Sequence, residues 1–260
     1  MFSQTIALFR YQLLGIMNAR IVILLALIFM LALLGGQFVA ELAIINSESI
    51  ALASIADFLR YSLILLLIIS IAQQVSQDYE LNQFERLLAM PITRTQYVLA
   101  QFLVLVFVCA LIMLPVFVLM AVMGNIPSAL YWSMALFLEM LLVGQLTLLA
   151  IISLEKLPVA VVFTLAIYLL AKSAPIIDLI LSQSAGFYEE ERGFQFAAAI
   201  FSLIRYVLPD LSAFAQNNVL FEGARAGAAF GQQLISVIIY SLFIQFVTLL
   251  DFYRKEFNRS

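Results

Sequence analysis

The chain has 260 residues, of which 65% are apolar and 11% charged, whereas soluble domains carry about 25% charged residues. Its net charge of -3 and its lack of a stripe of Lys and Arg exclude nucleic acid as an expected partner. The chain contains no histidine, which excludes histidine-dependent catalytic dyads, HExxH metalloprotease sites and histidine-ligated haem within it. With a mean hydropathy of +1.08, the sequence predicts an all-α integral membrane protein.

The N-terminal segment, residues 1–19, is amphipathic. It places Phe2, Ile6, Phe9 and Leu13 at alternating spacings of four and three, with Arg10 elsewhere on the helical wheel. This pattern predicts an interfacial helix that leads into the membrane. A cleaved signal peptide is the alternative, but no small-residue cleavage site follows at the right distance.

Six apolar runs are long enough to cross a hydrocarbon core of about 30 Å at 1.5 Å per residue. We expect one transmembrane domain over residues 1–260, in which the third span is tilted or kinked at Pro115. Arg60 lies near the outer end of the second span, where we expect its side chain to snorkel, and residues 41–57 are expected to form the preceding outer connection. The predicted spans are 21–39, 58–75, 97–123, 130–153, 158–181 and 234–252.

The distribution of basic residues predicts the orientation. If both termini are cytoplasmic, the short outer loops hold no Lys or Arg beyond the boundary residue Arg60. We therefore expect a multi-pass protein of the cytoplasmic (inner) membrane. The inner segments then hold Arg10, Arg20, Arg86, Arg94, Lys156, Arg254, Lys255 and Arg259.

The loop at 182–233 is expected on the outer side. Its segment 193–208 is apolar but shorter than a comfortable span, and a crossing there would send the basic C-terminal tail outside. We therefore predict a re-entrant or interfacial outer helix between the fifth and sixth spans.

The segment 78–92 predicts a short amphipathic helix on the cytoplasmic side. It places Leu81, Phe84, Leu87 and Leu88 on one face, and Pro91 is expected to end the helix. The chain has no G-x-x-x-x-G-K-[ST] phosphate loop, so energy from ATP must come from a partner. An amphipathic helix of this kind is suited to dock in a partner's groove.

The same segment resembles the cytoplasmic signature of type-2 ABC transporter permeases. That signature combines an acidic residue, a Glu-x-Leu-Leu run and a Pro-Ile-Ser/Thr-Arg run. Asn82-Gln83 replaces the usual Gly-Ser/Thr, and Gln101 stands where a lysine is common. The matching residues here are Glu80, Glu85, Leu87, Leu88, Ala89, Pro91, Ile92, Thr93 and Arg94.

The resemblance implies that this segment is the coupling helix, which contacts a cytoplasmic nucleotide-binding ATPase subunit. It also implies two permease copies, identical or related, with two ATPases, which bind the ATP and Mg²⁺. This chain is then a transport subunit in the lipid bilayer with no catalytic, cofactor or metal site of its own. The residues implied in the contact are Glu80, Phe84, Glu85, Arg86, Leu87, Leu88, Pro91 and Arg94.

Among the charged residues inside predicted spans, where burial in hydrocarbon is costly, Glu139 and Lys172 stand out. Glu139 of the fourth span lies about 12 Å from Tyr131, and Lys172 of the fifth lies about 21 Å from Pro158. Because adjacent antiparallel helices usually pack together, the two side chains are able to meet. They predict an intramembrane gate, a structural ion pair, or a snorkelled lysine and a protonated glutamate.

The apolar spans suggest export of an amphipathic or lipid-like compound. Other family functions remain open, including haem-related or metal-site maturation, polysaccharide export and drug or peptide efflux. From other classes, an ion-coupled secondary carrier has limited support in Pro115 and Glu139. A membrane-embedded lipid-modifying enzyme needs a carboxylate cluster such as DxxxD, which the chain lacks.

Overall fold

The computed structural model describes residues 13, 19–43, 46–80, 94–188, 209, 211–214, 216–222 and 226–254. Within these ranges there is no strand, and six helices are long and apolar enough to cross a membrane. The prediction of an all-α protein with six candidate spans is therefore confirmed. The long helices are α1 (Ala19–Leu42), α2 (Ser47–Glu80), α3 (Arg94–Met123), α4 (Ile126–Leu154), α5 (Leu157–Tyr188) and α7 (Ala226–Arg254), with a 3-10 turn (Leu211–Ala213) and a short α6 (Asn218–Glu222) between α5 and α7.

Three predicted segments lie mainly outside the residues that the structure describes. The interfacial helix at 1–19 lies almost entirely outside the described residues, as does the apolar segment 193–208. Of the predicted coupling helix at 78–92, only 78–80 are described, as the last residues of α2.

The second helix begins much earlier than predicted. The expected connection over 41–57 is wrong, because α2 already starts at Ser47. Asn46 adopts a left-handed φ of 55°, and its carbonyl accepts hydrogen bonds from the Ile50 N–H at 3.0 Å and the Ser49 hydroxyl at 2.9 Å. Glu48 lies in the first turn, where its charge complements the helix dipole. At 34 residues, α2 is about 51 Å long and exceeds the hydrocarbon core.

Helix α4 is the centre of the bundle. Eighteen of its 29 residues are buried, and it packs against α2, α3, α5, α6 and α7. Close approach is possible at Gly144, where a Cβ atom would crowd Leu105 of α3 and Ile71 of α2. The central position of α4 explains why polar residues on it are shielded from the surface.

Contacts at the helix termini define the two ends of the bundle. At one end, the Tyr97 and Phe252 rings stack at 5.6 Å, and the Ser153 hydroxyl donates to Asp251 at 2.7 Å. We call this the Lys156 end, after the turn between α4 and α5. The opposite end carries the turn between α1 and α2, and we call it the Asn46 end.

Helix α1 packs on α2 through Gly36. A Cβ atom at Gly36 would collide with the Ile55 side chain of α2, whereas a Cβ at the neighbouring Gly35 meets nothing within 4 Å. Apolar side chains cover much of the rest of α1 and remain exposed, including Ile23, Met30 and Leu34. Such surfaces suit contact with lipid, while Gly36 sets the distance between α1 and the bundle.

Replacing Gly36 tests this close approach. We expect Gly36→Leu to destabilise the protein by about 1–3 kcal/mol through overpacking, and so to lower its Tm in detergent micelles. Gly35→Leu is the matched control, because it makes the same change in helix propensity but points into open space. Equal melting temperatures for the two variants would contradict the packing of α1 on α2.

Candidate functional site

Glu139 is the centre of a buried polar cluster. It lies near the middle of α4 and is fully buried (0% exposed). Its partners come from α2 and α5, and its partner Lys172 also contacts the segment before α7. We call this group the Glu139 cluster: Arg60, Trp132, Glu139, Tyr168, Lys172 and the carbonyl groups of Leu211 and Phe214.

Lys172 of α5 makes the shortest contact to the carboxylate. Its Nζ lies 3.0 Å from Glu139 Oε1, and it also donates to the carbonyl oxygens of Leu211 at 3.0 Å and Phe214 at 3.4 Å. An ammonium group has three N–H donors, so all three have an acceptor. The ion pair therefore joins α4 and α5 to the polypeptide between α5 and α7.

Tyr168 provides a second donor to the same oxygen. Its hydroxyl lies 3.1 Å from Glu139 Oε1, one turn before Lys172 on α5, where residues four apart share a face. Both donors fix the carboxylate against α5. Hydrogen bonds to a charged acceptor in a region of low dielectric are strong, so they stabilise the packing of α5 on α4.

Arg60 of α2 lies on the other side of Glu139. Its Nε is 3.8 Å from Glu139 Oε2, and its Nη1 is 3.8 Å from the Asp57 carboxylate one turn earlier. The guanidinium also lies over the Trp132 ring, 5.8 Å from the ring centre, which is a cation–π distance. The expectation that Arg60 snorkels to the surface is wrong, because its side chain is only 6% exposed.

A short segment between α5 and α7 closes over the cluster at its Asn46 side. Leu211, Phe214 and Leu220 are buried in the bundle. The Asn217 side chain donates to the Ala53 carbonyl of α2 at 3.4 Å, and Gln233 of α7 donates to the Ala213 carbonyl at 2.6 Å. We call the described residues of 211–222 the outer segment, after the side of the membrane on which the sequence predicts them. It is held by α2, α5 and α7, and Lys172 is the charged group among these contacts.

The structure thus brings Glu139 and Lys172 together. Sequence reasoning missed Tyr168, although its spacing of four from Lys172 places both on one face of α5. It also missed Trp132, Asp57 and the two carbonyl acceptors, for which the sequence holds no comparable signal. Among the described residues, no three Asp, Glu, Cys or His side chains come together as metal ligands.

The predicted coupling residues lie almost entirely outside the part of the chain that the structure describes. Glu80 is the last residue of α2, and Arg94 is the first of α3. The side chains that would form the contact lie outside the described ranges, namely Phe84, Glu85, Arg86, Leu87, Leu88 and Pro91. The cluster and the segment 81–93 are nevertheless joined by the continuous helix α2.

Comparison of the chain with protein-family models and with curated proteins found no match.

The charges of the cluster predict which substitutions lower the free energy of unfolding most. We expect Glu139→Gln to destabilise the protein most, on the order of 3–5 kcal/mol, because it leaves Arg60 and Lys172 buried without a carboxylate between them. Lys172→Met should cost less, because Glu139 keeps Arg60 as a neighbour. The free energy of unfolding in mixed micelles measures both effects.

The double variant Glu139→Gln/Lys172→Met is the control for coupling. It removes both members of the pair, so its loss should be smaller than the sum of the two single losses by about 1–3 kcal/mol. Strictly additive losses would show that the two side chains do not interact.

Proposed function

We propose that this chain is the transmembrane permease subunit of an ATP-driven type-2 ABC exporter. In this proposal a cytoplasmic ATPase subunit docks on the coupling segment at 78–92, and its nucleotide cycle moves the spans. The chain itself hydrolyses nothing. Its location is the cytoplasmic membrane, with both termini in the cytoplasm.

The observation that carries the proposal is the continuity of α2. This helix ends at Glu80, where the coupling segment begins, and the same helix carries Arg60 of the Glu139 cluster. Twenty residues separate them, or about 30 Å along the helix axis. A displacement of the coupling segment would therefore be transmitted along a rigid helix to the buried charges.

The helix ends that flank residues 81–93 support docking of the proposed coupling segment from the cytoplasm. Helix α3 starts at Arg94, and its Tyr97 stacks on Phe252 at the Lys156 end of the bundle. That end also carries Lys156 in the turn between α4 and α5 and Arg254 in the last turn of α7. The two tight turns at the Asn46 end, at 43–46 and 124–125, contain no Lys or Arg in the sequence. The positive-inside rule therefore favours the Lys156 end as cytoplasmic.

In this proposal, the Glu139 cluster is the element that changes state during such a motion. Lys172 holds the outer segment through two backbone carbonyls, and Glu139 holds Lys172. A shift of α2 would move Arg60 relative to Glu139 and change the balance of charges around the carboxylate. We infer that this change loosens the outer segment and opens the Asn46 end, a small rigid-body shift of the kind used in alternating access.

The proposed complex contains a second permease copy and exports an amphipathic or lipid-like substrate. Support comes from the exposed apolar side chains of α1, α5 and α7, such as Leu34, Val162 and Leu242. These surfaces are available to lipid or to a second membrane subunit. An amphipathic substrate suits a bundle that is apolar on its faces and charged within.

An ion-coupled secondary carrier is the second candidate. The observation in its favour is the fully buried Glu139 carboxylate with two cationic neighbours, since such groups often mark ion pathways. A carrier of this class would transport as a single chain without ATP. Transport by the purified chain in liposomes with an ion gradient alone would favour it over the ABC assignment.

Substitution of the apolar face tests ATPase docking. We expect Phe84→Asp and Leu88→Asp each to abolish recovery of an ATPase subunit with the affinity-purified chain, because a carboxylate replaces an apolar anchor in the partner's groove. The measurement is ATP hydrolysis by the purified material, with mass spectrometry of its subunits.

Gln83→Asp is the matched control. It adds the same charge next to Phe84 but on the polar face of the predicted helix, so the ATPase should still be recovered. Equal ATP hydrolysis by all three variants, or full ATP-independent transport by the single chain, would contradict the proposal.

A further inference from the structure

Among the charged groups of the Glu139 cluster, the Arg60 guanidinium is the one without a hydrogen-bonded acceptor. Lys172 and Glu139 neutralise each other, and the three donors of Lys172 all have acceptors. The carboxylate oxygens paired with the Arg60 guanidinium lie at 3.8 Å, beyond hydrogen-bond distance. Among the described residues, its buried Nε and Nη2 atoms have no acceptor.

Two further donors lie on the part of α4 whose Trp132 packs against this guanidinium. The Trp132 ring lies under it, and the buried indole Nε1 has no acceptor within the described part of the chain. Ser128 lies one turn before Trp132 on the same face of α4, and its buried hydroxyl is likewise without a partner among the residues described. A guanidinium with neighbouring N–H and O–H donors is the chemistry that recognises an oxyanion.

Asp57 is a weak occupant of this position. Its carboxylate is half-exposed and lies 3.8 Å from the guanidinium, and exposed ion pairs contribute little. It therefore competes only weakly with a ligand that reaches hydrogen-bond distance. Phe58 and Tyr61, close to Asp57 and Arg60 along α2, are exposed apolar and aromatic side chains, a surface that suits an apolar chain.

We propose that Arg60 binds the carboxylate or phosphate group of an anionic amphiphile, which displaces Asp57 from the guanidinium. The apolar chain of the ligand then lies along the exposed face beside Phe58 and Tyr61. Free inorganic phosphate offers the same oxyanion chemistry without the apolar chain. This site does not depend on the proposed function, because binding requires no ATPase partner.

The chain provides its own reporter for this site. Trp132 is its only tryptophan, and it contacts Arg60 directly. The full chain is placed in phosphatidylcholine nanodiscs, and its fluorescence is followed during titration with decyl phosphate, decanoate, inorganic phosphate or decyltrimethylammonium. We expect a saturable change with the two anionic amphiphiles and none with the cationic one. Saturation with inorganic phosphate at equal concentration would assign the same site to a free anion.

Two variants with opposite expected effects on ligand affinity test the proposal. Asp57→Asn removes the competing carboxylate, so binding should become roughly two- to fivefold tighter, the range expected from losing a half-exposed ion pair. Arg60→Gln should abolish the saturable change, whereas Arg254→Gln, which removes an exposed cation at the other end of the bundle, should preserve it. Equal response in Arg60→Gln and the parent chain would overturn the proposal, as would the absence of any saturable response in Asp57→Asn.

Discussion

The ion pair between Glu139 and Lys172 is the contact that connects the outer segment to the centre of the bundle. A carboxylate buried in the centre of the bundle is costly unless it is paired and hydrogen-bonded, and Lys172 at 3.0 Å provides the pairing. Lys172 also binds two backbone carbonyls of the outer segment. The Lys172 side chain therefore neutralises the buried carboxylate of α4 and also holds the polypeptide between α5 and α7 in place.

Helix α2 relates this pair to the proposed function. Its Arg60 completes the set of buried charges, and its C-terminal end at Glu80 leads into the proposed coupling segment. Because the helix is continuous, it would connect the proposed coupling segment rigidly to the buried charges. The incomplete satisfaction of Arg60 also gives the cluster an affinity for an external oxyanion, so a ligand and an ATPase would both act on α2.

The six long apolar helices and the contact between Glu139 and Lys172 were predictable, for different physical reasons. A bilayer requires long apolar helices, so hydropathy locates them, and residue counts along antiparallel neighbours put Glu139 and Lys172 within reach. The burial of Arg60 was not predictable, because it depends on the carboxylate and the indole ring that α4 offers. The start of α2 at Ser47 was missed because hydropathy reports what the bilayer covers, not how far a helix extends beyond it. Carbonyl acceptors such as Leu211 O leave no side-chain signal in a sequence.

Whether Lys172 immobilises the outer segment is tested most directly with a nitroxide spin label. The label is attached to the cysteine of Phe221→Cys, and its mobility is measured by electron paramagnetic resonance. Phe221 is half-exposed on α6, and the only native cysteine, Cys109, is buried. We predict an immobile label in the parent chain and a mobile one when Lys172→Met is added. Lys156→Met, which removes an exposed lysine at the opposite end, should leave the label immobile. Unchanged mobility in Lys172→Met would contradict the account.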